Sequence, residues 1–225
     1  MEQLARSNLS DQIFDILGKR IVKNELKPGE LIVETQISKE LGVSRSPVRD
    51  ALRMLEHIRL VDRTPRGGYQ VTEFSLELIQ HLYETAIILY QYAFAKAAEN
   101  ATPKDLKGLE EDLTNLEQSI AGKDFELYLM TVTRMGKKIL KIAGNPIVER
   151  IALELMPTAE RVQWAAITYL PDRLQIVVDH LRRGYECIAN NDPQGAAKSF
   201  EDFAATHVQV VINSLAQPPK QSNAK

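Results

Sequence analysis

Residues 41–55 read LGVSRSPVRDALRML, and this stretch decides the fold of the N-terminal third of the chain. Gly42 is typical of a helix end, because glycine adopts the left-handed conformation there without strain. Ser44 can cap a second helix, and Pro47 fits its first turn, where the missing N–H has no partner to lose. The apolar residues of that second helix recur at three- and four-residue spacing; they are Val48, Ala51, Leu52 and Leu55. The pattern predicts a helix-turn-helix.

The flanking segments extend this motif. Residues 35–41 favour a short helix before Gly42, with Ile37 and Leu41 four residues apart, and residues 9–24 favour an amphipathic helix. A short strand is predicted at 31–33. Residues 59–63 and 68–71 read as two strands around a turn that contains Arg66 and Gly67. A hairpin after a helix-turn-helix is the wing of a winged helix, a fold whose second helix enters the major groove of DNA.

Charge is concentrated in this part of the chain. The formal net charge of the whole chain is -2, yet residues 44–66 hold six arginines against three acidic residues. In the predicted second helix, Arg45, Ser46, Arg49 and Arg53 lie opposite the apolar side. A local positive patch on a neutral chain is typical of sequence-selective DNA binders. A solvated helix face is the alternative for any one of these arginines.

Beyond residue 73 the strand patterns disappear. Helical periodicity predicts helices over 75–100, from Thr102 onward, and over 124–143, 146–166, 171–190 and 193–215. The fold class is therefore mostly α: a winged helix-turn-helix domain over 1–73 and an all-helical effector-binding and dimerisation domain over 74–216. The polar residues 217–225 are predicted to be a disordered tail.

Composition excludes several classes of protein. The single cysteine, Cys187, rules out a disulfide framework or a cysteine-rich zinc site, and its position in an apolar helix predicts that it is buried. We find no apolar run of about 20 residues and no secretion signal, so we expect a cytoplasmic protein without a membrane partner. No catalytic triad ordering or glycine-rich phosphate loop is present, so we expect no enzyme.

Two sets of residues carry a resemblance to a known family. Residues 41–52 and the segment RGGYQV at 66–71 resemble the GntR family of bacterial transcription regulators. The helical remainder, with Asp124-Phe125, residues 143–146 and Asp179-His180, is similar to its FCD (FadR C-terminal domain) subfamily. The resemblance implies a homodimer bound to an inverted-repeat operator in double-stranded DNA, with affinity controlled by a small ligand in the helical domain.

The resemblance also implies roles for single residues. Arg45 and Arg49 would read bases or hold phosphates beside them, and Arg53 is a further candidate for DNA contact. Ser44, Ser46 and Thr35 would bind phosphates, while Arg66 and Gly67 would bring the tip of the wing to the minor groove. Arg59 departs from the family, which usually has glycine there, and we expect a strained turn.

The helical domain departs further. Many FCD regulators bind a divalent metal with an Asp and three His. In register, the first two ligands fall on Val132 and Gly136, the third on His180 and the fourth on Phe203, with His207 one turn beyond. Val and Gly side chains cannot donate to a metal, so we expect no metal and no other cofactor. Family-typical Arg and Glu positions are taken by Ala86 and Tyr90.

These seven positions predict one effector pocket: Ala86, Tyr90, Val132, Gly136, His180, Phe203 and His207. Replacing Asp and His by Val, Gly and Phe favours an apolar or amphipathic effector. Three alternatives stay open. In the first, the cavity is filled and the domain serves only for dimerisation. In the second, the protein is a metal-dependent carboxylate sensor. In the third, His180 is a hydrogen-bonded core histidine rather than a ligand contact.

Overall fold

A computed structural model of the chain describes residues 2–73, 75–169 and 174–216. It divides into two compact units, Met1–Ser75 with Pro157–Arg161, and Leu76–Met156 with Val162–Lys225. The elements of the first unit are α1 (Glu2–Val22), β1 (Leu31–Ile32), α2 (Glu34–Leu41), α3 (Arg45–His57), β2 (Val61–Arg63) and β3 (Tyr69–Val71). Six further helices follow: α4 (Leu76–Asn100), α5 (Pro103–Ala121), α6 (Phe125–Ala143), α7 (Pro146–Tyr169), α8 (Leu174–Ala189) and α9 (Pro193–Ala216). The predicted mostly-α fold class is confirmed.

The core of the first unit forms around the apolar side of α3. The four residues predicted to turn inward, Val48, Ala51, Leu52 and Leu55, are all 0% exposed. They pack in one cluster with residues of α1, β2 and β3, among them Ile13, Leu17, Ile21, Val61 and Val71. Burying a side chain of this size contributes about 1.5–3 kcal/mol, so this cluster holds α3 rigidly in place.

The sheet has the strand order β1-β3-β2, with both pairs antiparallel. Val61 pairs with Val71 and Arg63 with Tyr69, so the predicted wing hairpin is confirmed. The first strand begins at Val61 rather than at Arg59, because Arg59 lies in the turn that follows α3, and the second begins at Tyr69 rather than at Gly68. Arg59 has φ 60°, and the Leu60 N–H donates to the Leu55 carbonyl at 3.0 Å, which closes the last turn of the helix.

Other element ends in the first unit also differ from the sequence prediction. α1 begins at Glu2 and ends at Val22, whereas the apolar spacing predicted 9–24. α2 begins one residue earlier, at Glu34. Ser44 occupies the N-cap position of α3, but its side chain makes no capping hydrogen bond, so the predicted cap was wrong in its chemistry.

In the second unit, α4 packs against α6, α8 and α9, and α5 packs against α6 and α8. Local signals fix the helix starts. Thr102 and Asp105 form a reciprocal capping box on α5, and the Asp124 side chain accepts from the Leu127 N–H at 2.9 Å on α6. On α4, Leu82, Ala93 and Ala97 are buried, whereas Leu78 and Ile88 are exposed. The predicted tail at 217–225 lies outside the described residues.

Within the described ranges, none of the helices combines the length and the apolar character that crossing a membrane requires. Cys187 is half-buried rather than buried as predicted, and burial raises the pKa of its thiol.

Candidate DNA-reading surface and effector site

The side of α3 opposite the core carries the residues predicted to contact DNA. Arg45, Ser46, Arg49 and Arg53 are exposed on it, and Ser44 is exposed at its start. Thr35 is exposed in the first turn of α2. Because Val48, Ala51, Leu52 and Leu55 fix the opposite side, the arginines are presented from a rigid helix to solvent. Arginine forks on such a helix suit the O6 and N7 atoms of guanine.

Arg49 is held by a carboxylate that the sequence analysis missed. Its Nε donates to both carboxylate oxygens of Glu34 at 3.2 Å, and its Nη2 donates to Oε2 at 2.9 Å. The hydrogen bond from Arg49 lowers the pKa of Glu34, and the charges of Arg49, Arg45 and Arg53 lower it further. The same pairing raises the pKa of Arg49. Glu34 therefore stays ionised beside three arginines.

The tip of the wing is a tight turn. The Gly67 N–H donates to the Thr64 carbonyl at 3.0 Å, and the Gly68 N–H donates to the Thr64 hydroxyl at 3.0 Å. Gly67 has φ 82°, a conformation that other residues rarely adopt, and a β-carbon there would meet nothing within 4 Å. Arg66 and Gly67 are both exposed. The turn thus offers a bare stretch of backbone and one guanidinium.

Three of the seven predicted effector residues, Tyr90, Phe203 and His207, belong to a chain of aromatic rings that also includes Phe200. Tyr90 on α4 stacks on Phe200 with ring centroids 4.9 Å apart, Phe200 contacts Phe203 at 5.3 Å, and Phe203 stacks on His207 at 5.4 Å. Gly136 on α6 lies against Tyr90, since a β-carbon there would be 3.2 Å from the tyrosine hydroxyl. Ala86 and Val132 lie half-buried on α4 and α6, and no ring contact places them in this chain.

At the other end of this chain of rings lie two buried polar groups. His207 is 4% exposed and Tyr83 is 6% exposed, with their ring centroids 5.9 Å apart. Among the described residues, the two ring nitrogens of His207 have no hydrogen-bond partner. The Tyr83 hydroxyl has none there either. Burial lowers the pKa of His207 to about 4 and raises that of Tyr83. Both are therefore neutral at pH 7, and each can both donate and accept a hydrogen bond.

His180 on α8, in contrast, is fully hydrogen-bonded. Arg183 Nη2 lies 3.1 Å from its Nδ1, and the Thr206 hydroxyl lies 3.2 Å from its Nε2. That hydroxyl donates to the Asp202 carbonyl at 2.9 Å, so it accepts from His180 and fixes the neutral Nε2–H tautomer. Burial, and next the charge of Arg183, lower the pKa of His180. These contacts are those of a hydrogen-bonded core histidine, one of the alternatives left open by the sequence.

These residues do not fit the metal that the family resemblance implies. Val132 and Gly136 offer no donor atom, and both nitrogens of His180 already have partners. Tyr90 takes the space beside Gly136 into which a larger side chain would project. No group of three or more His, Cys, Asp or Glu in the described part of the chain is arranged to hold a metal ion.

Sequence reasoning missed Glu34, Tyr83 and Thr206. Tyr83 could have been found, because it lies seven residues before Tyr90 on the same helical face. Nothing in the sequence marks Glu34 or Thr206, since their partners lie 15 and 26 residues away.

Comparison with family models places this architecture. The model "Bacterial regulatory proteins, gntR family" matches residues 9–71, and the FCD domain model matches residues 81–206. The chain belongs to the GntR family. Its helical part is an FCD domain. The resemblance drawn from residues 41–52 and 66–71 is thereby confirmed.

Curated relatives of this GntR chain are transcriptional regulators. The regulator YdhC of Bacillus subtilis is 37% identical over 109 residues, 48% of this chain and 49% of that protein. McbR of Escherichia coli is 30% identical over 138 residues, 61% of this chain and 62% of that protein. The chain thus spans about half to two thirds of the length of these relatives. The gluconate operon repressor of Bacillus subtilis is 24% identical over 70% of this chain and 64% of that protein.

Solved structures share the fold of this GntR chain. That of Escherichia coli McbR has a TM-score of 0.82 at 21% identity, covering 92% of this chain and 98% of that one. Lar of Listeria monocytogenes, which controls expression of the agr system there, has a TM-score of 0.64 at 23% identity, covering 91% and 96%.

Proposed function

We propose that the protein is a ligand-responsive transcriptional regulator that binds an inverted-repeat operator as a homodimer. The observation that carries the proposal is the division of α3 into two sides: four apolar residues at 0% exposure and three exposed arginines on the other side. A rigid basic helix with a wing beside it is suited to the major groove of one half-site. Two such heads related by a twofold axis require an operator with matching symmetry.

Within this proposal the exposed residues divide by chemistry. Arg45 and Arg49 read base edges, with Arg53 as a further contact. The hydroxyls of Thr35, Ser44 and Ser46 bind phosphates, together with N–H groups at the start of α3. Arg66 and the bare backbone at Gly67 reach the minor groove.

Selection from a random duplex pool by the purified protein tests the DNA-binding proposal. We expect an enriched inverted repeat, protected from nuclease across both half-sites, and a dimer mass by analytical ultracentrifugation. Enrichment of a single half-site by a monomer would contradict the homodimer. Failure to enrich any sequence would contradict the reading role of α3.

The effector is proposed to be an amphipathic molecule that lies against the aromatic rings and bonds to His207 and Tyr83. Buried polar groups without partners cost about 1–3 kcal/mol each, so a ligand that supplies the partners gains that energy. Neutral groups at this end favour an uncharged polar atom on the ligand over a carboxylate, which an ion pair or a metal would have to hold.

A panel of small uncharged aromatic alcohols and amides, with the matching carboxylates, tests the effector proposal by thermal melting. A compound that binds only the folded protein raises the melting temperature. We expect an uncharged compound to raise the melting temperature of the wild-type protein but not that of His207→Phe. His81→Phe is the control and should keep the rise, because His81 is exposed on the same helix as Tyr83.

A constitutive DNA-binding dimer is the second candidate. It is favoured by the ring stacking from Tyr90 to His207 and by the contact of Tyr90 with Gly136, which bring these side chains together at positions where the family resemblance places ligand residues. In that case no compound of the panel shifts the melting temperature or the operator affinity. The metal-dependent carboxylate sensor is disfavoured by the donor set, and a melting shift with Zn²⁺ plus a hydroxy acid would restore it.

A further inference from the structure

The first residue of α2 places a carboxylate on the surface proposed to meet a polyanion. Glu34 is at the helix start, its side chain 22% exposed, and it receives two of the N–H groups of Arg49, whose side chain is 51% exposed. The charges of Arg45 and Arg53 also act on it. A carboxylate among phosphates is repelled, so this acid requires an explanation.

The geometry of the guanidinium supplies one. The group has five N–H donors in a flat fork, and Glu34 takes the side formed by Nε and one hydrogen of Nη2. The end formed by Nη1 and the second hydrogen of Nη2 is not used by Glu34. That end presents two parallel donors, the arrangement that matches O6 and N7 of guanine.

We propose that Glu34 is a positioning and specificity residue: it holds Arg49 with its guanine-reading end outward and weakens attraction of this face to phosphate. Holding the fork removes the rotamer entropy that a free arginine loses on meeting a base. The negative charge of Glu34 lowers the affinity for every duplex. The positioning of Arg49 raises the affinity only for a duplex with guanine at the contacted position. Specificity, the ratio of the two affinities, therefore rises. This inference rests on the proposed reading role of Arg49.

The test compares Glu34→Gln with the wild-type protein on two duplexes of equal length. One is the duplex that wild-type protein selects from a random pool, and the other is an unrelated sequence. We expect the variant to bind the selected duplex several-fold more weakly and the unrelated duplex several-fold more tightly. Glu40→Gln is the matched control: Glu40 is on the same helix, pairs with Arg20 at 2.6 Å, and loses the same charge. It should not move the two affinities in opposite directions.

A double-mutant cycle shows whether Glu34 acts through Arg49. In an Arg49→Ala background, Glu34→Gln should no longer weaken binding to the selected duplex, because there is no fork left to orient. Repeating the selection with Glu34→Gln should relax the preference at one base position per half-site, the same position that Arg49→Ala relaxes.

Several results would overturn the proposal. If both affinities rise together, Glu34 is only a repulsive charge; if both fall with a lower melting temperature, it is only a part of the fold. Should Glu34→Gln not fold, Glu34→Asp replaces it, keeping the charge on a shorter arm. We then expect weaker binding to the selected duplex without tighter binding to the unrelated one, and unchanged binding to both would contradict the proposal. A wild-type protein that selects no duplex refutes the proposed function instead.

Discussion

The two candidate sites of this GntR regulator are built on opposite principles. The surface of α3 is exposed and charged, and its arginines stand on a helix whose other side is locked into a core. The aromatic site of the second unit is buried and neutral, and its polar atoms at His207 and Tyr83 lack partners among the described residues. Exposed charged side chains are hydrated in the free protein and cost no folding stability. A buried polar group without a partner lowers the free energy of unfolding until a ligand supplies a hydrogen bond. The first site is therefore fully formed in the free protein, whereas the second lowers the stability of the free protein.

The largest expected effect is acid sensitivity of the second unit. Between pH 6.5 and about 4 the unfolded chain protonates His207 and the folded chain does not, so stability falls as pH falls through this window, by about 2–3 kcal/mol at pH 4.5. Urea unfolding followed by the fluorescence of the single tryptophan, Trp164, measures it. His207→Phe should remove this part of the pH dependence, and His81→Phe should keep it. Parallel curves for all three proteins would show that His207 is not buried as described.

Next in size is the loss of Arg49. Arg49→Ala should weaken binding to the selected operator by about 1–3 kcal/mol and relax the preference at one base. Operator titrations by fluorescence anisotropy measure this. Arg150→Ala, an exposed arginine of α7 paired with Glu154, is the control and should change neither quantity. An operator footprint and affinity that survive Arg49→Ala would remove the distinction between a reading face and an ordinary solvated helix.

A smaller effect is expected at the end of α3. Arg59 has φ 60°, which costs a residue with a β-carbon about 1 kcal/mol relative to glycine. Arg59→Gly should therefore raise the stability of the first unit by about that amount over Arg59→Ala, which loses the same charge but keeps the strain. Hydrogen exchange of the amides of α3 provides the measurement. Equal protection in the two variants would mean that the turn relaxes.

The smallest difference concerns helix caps. The side chain of Ser44 makes no capping bond on α3, whereas Thr102 caps α5 through the Asp105 N–H. Thr102→Ala should thus cost about 1 kcal/mol, and Ser44→Ala less than about 0.5 kcal/mol while lowering DNA affinity. Thermal melts and DNA titrations of both variants decide this. A stability loss in Ser44→Ala as large as in Thr102→Ala would assign its hydroxyl to folding rather than to phosphate.

The same contrast explains what the sequence could predict. The face of α3 is encoded by consecutive residues, so the spacing of Val48, Ala51, Leu52 and Leu55 predicts which side is buried. The strain at Arg59 was also predictable, because one residue type at one turn position decides it. The aromatic site depends on pairs from different helices: Tyr90 meets Gly136, and Tyr83 meets His207. Periodicity gives the face of each helix but not which faces meet. The pairing of Glu34 with Arg49 depends on the angle between α2 and α3, which spacing does not encode.

The carboxylate that holds Arg49 also has a consequence for ionic strength. DNA binding by arginines is driven partly by release of counterions condensed on the phosphates, and the salt dependence of affinity counts the charges involved. Because the charge of Arg49 is neutralised by Glu34, this pair adds almost nothing to the number of charges that sets the salt dependence, unlike Arg45 or Arg66. The recognition contact should hence persist in concentrated electrolyte after weaker, purely electrostatic attachment to DNA has been screened away.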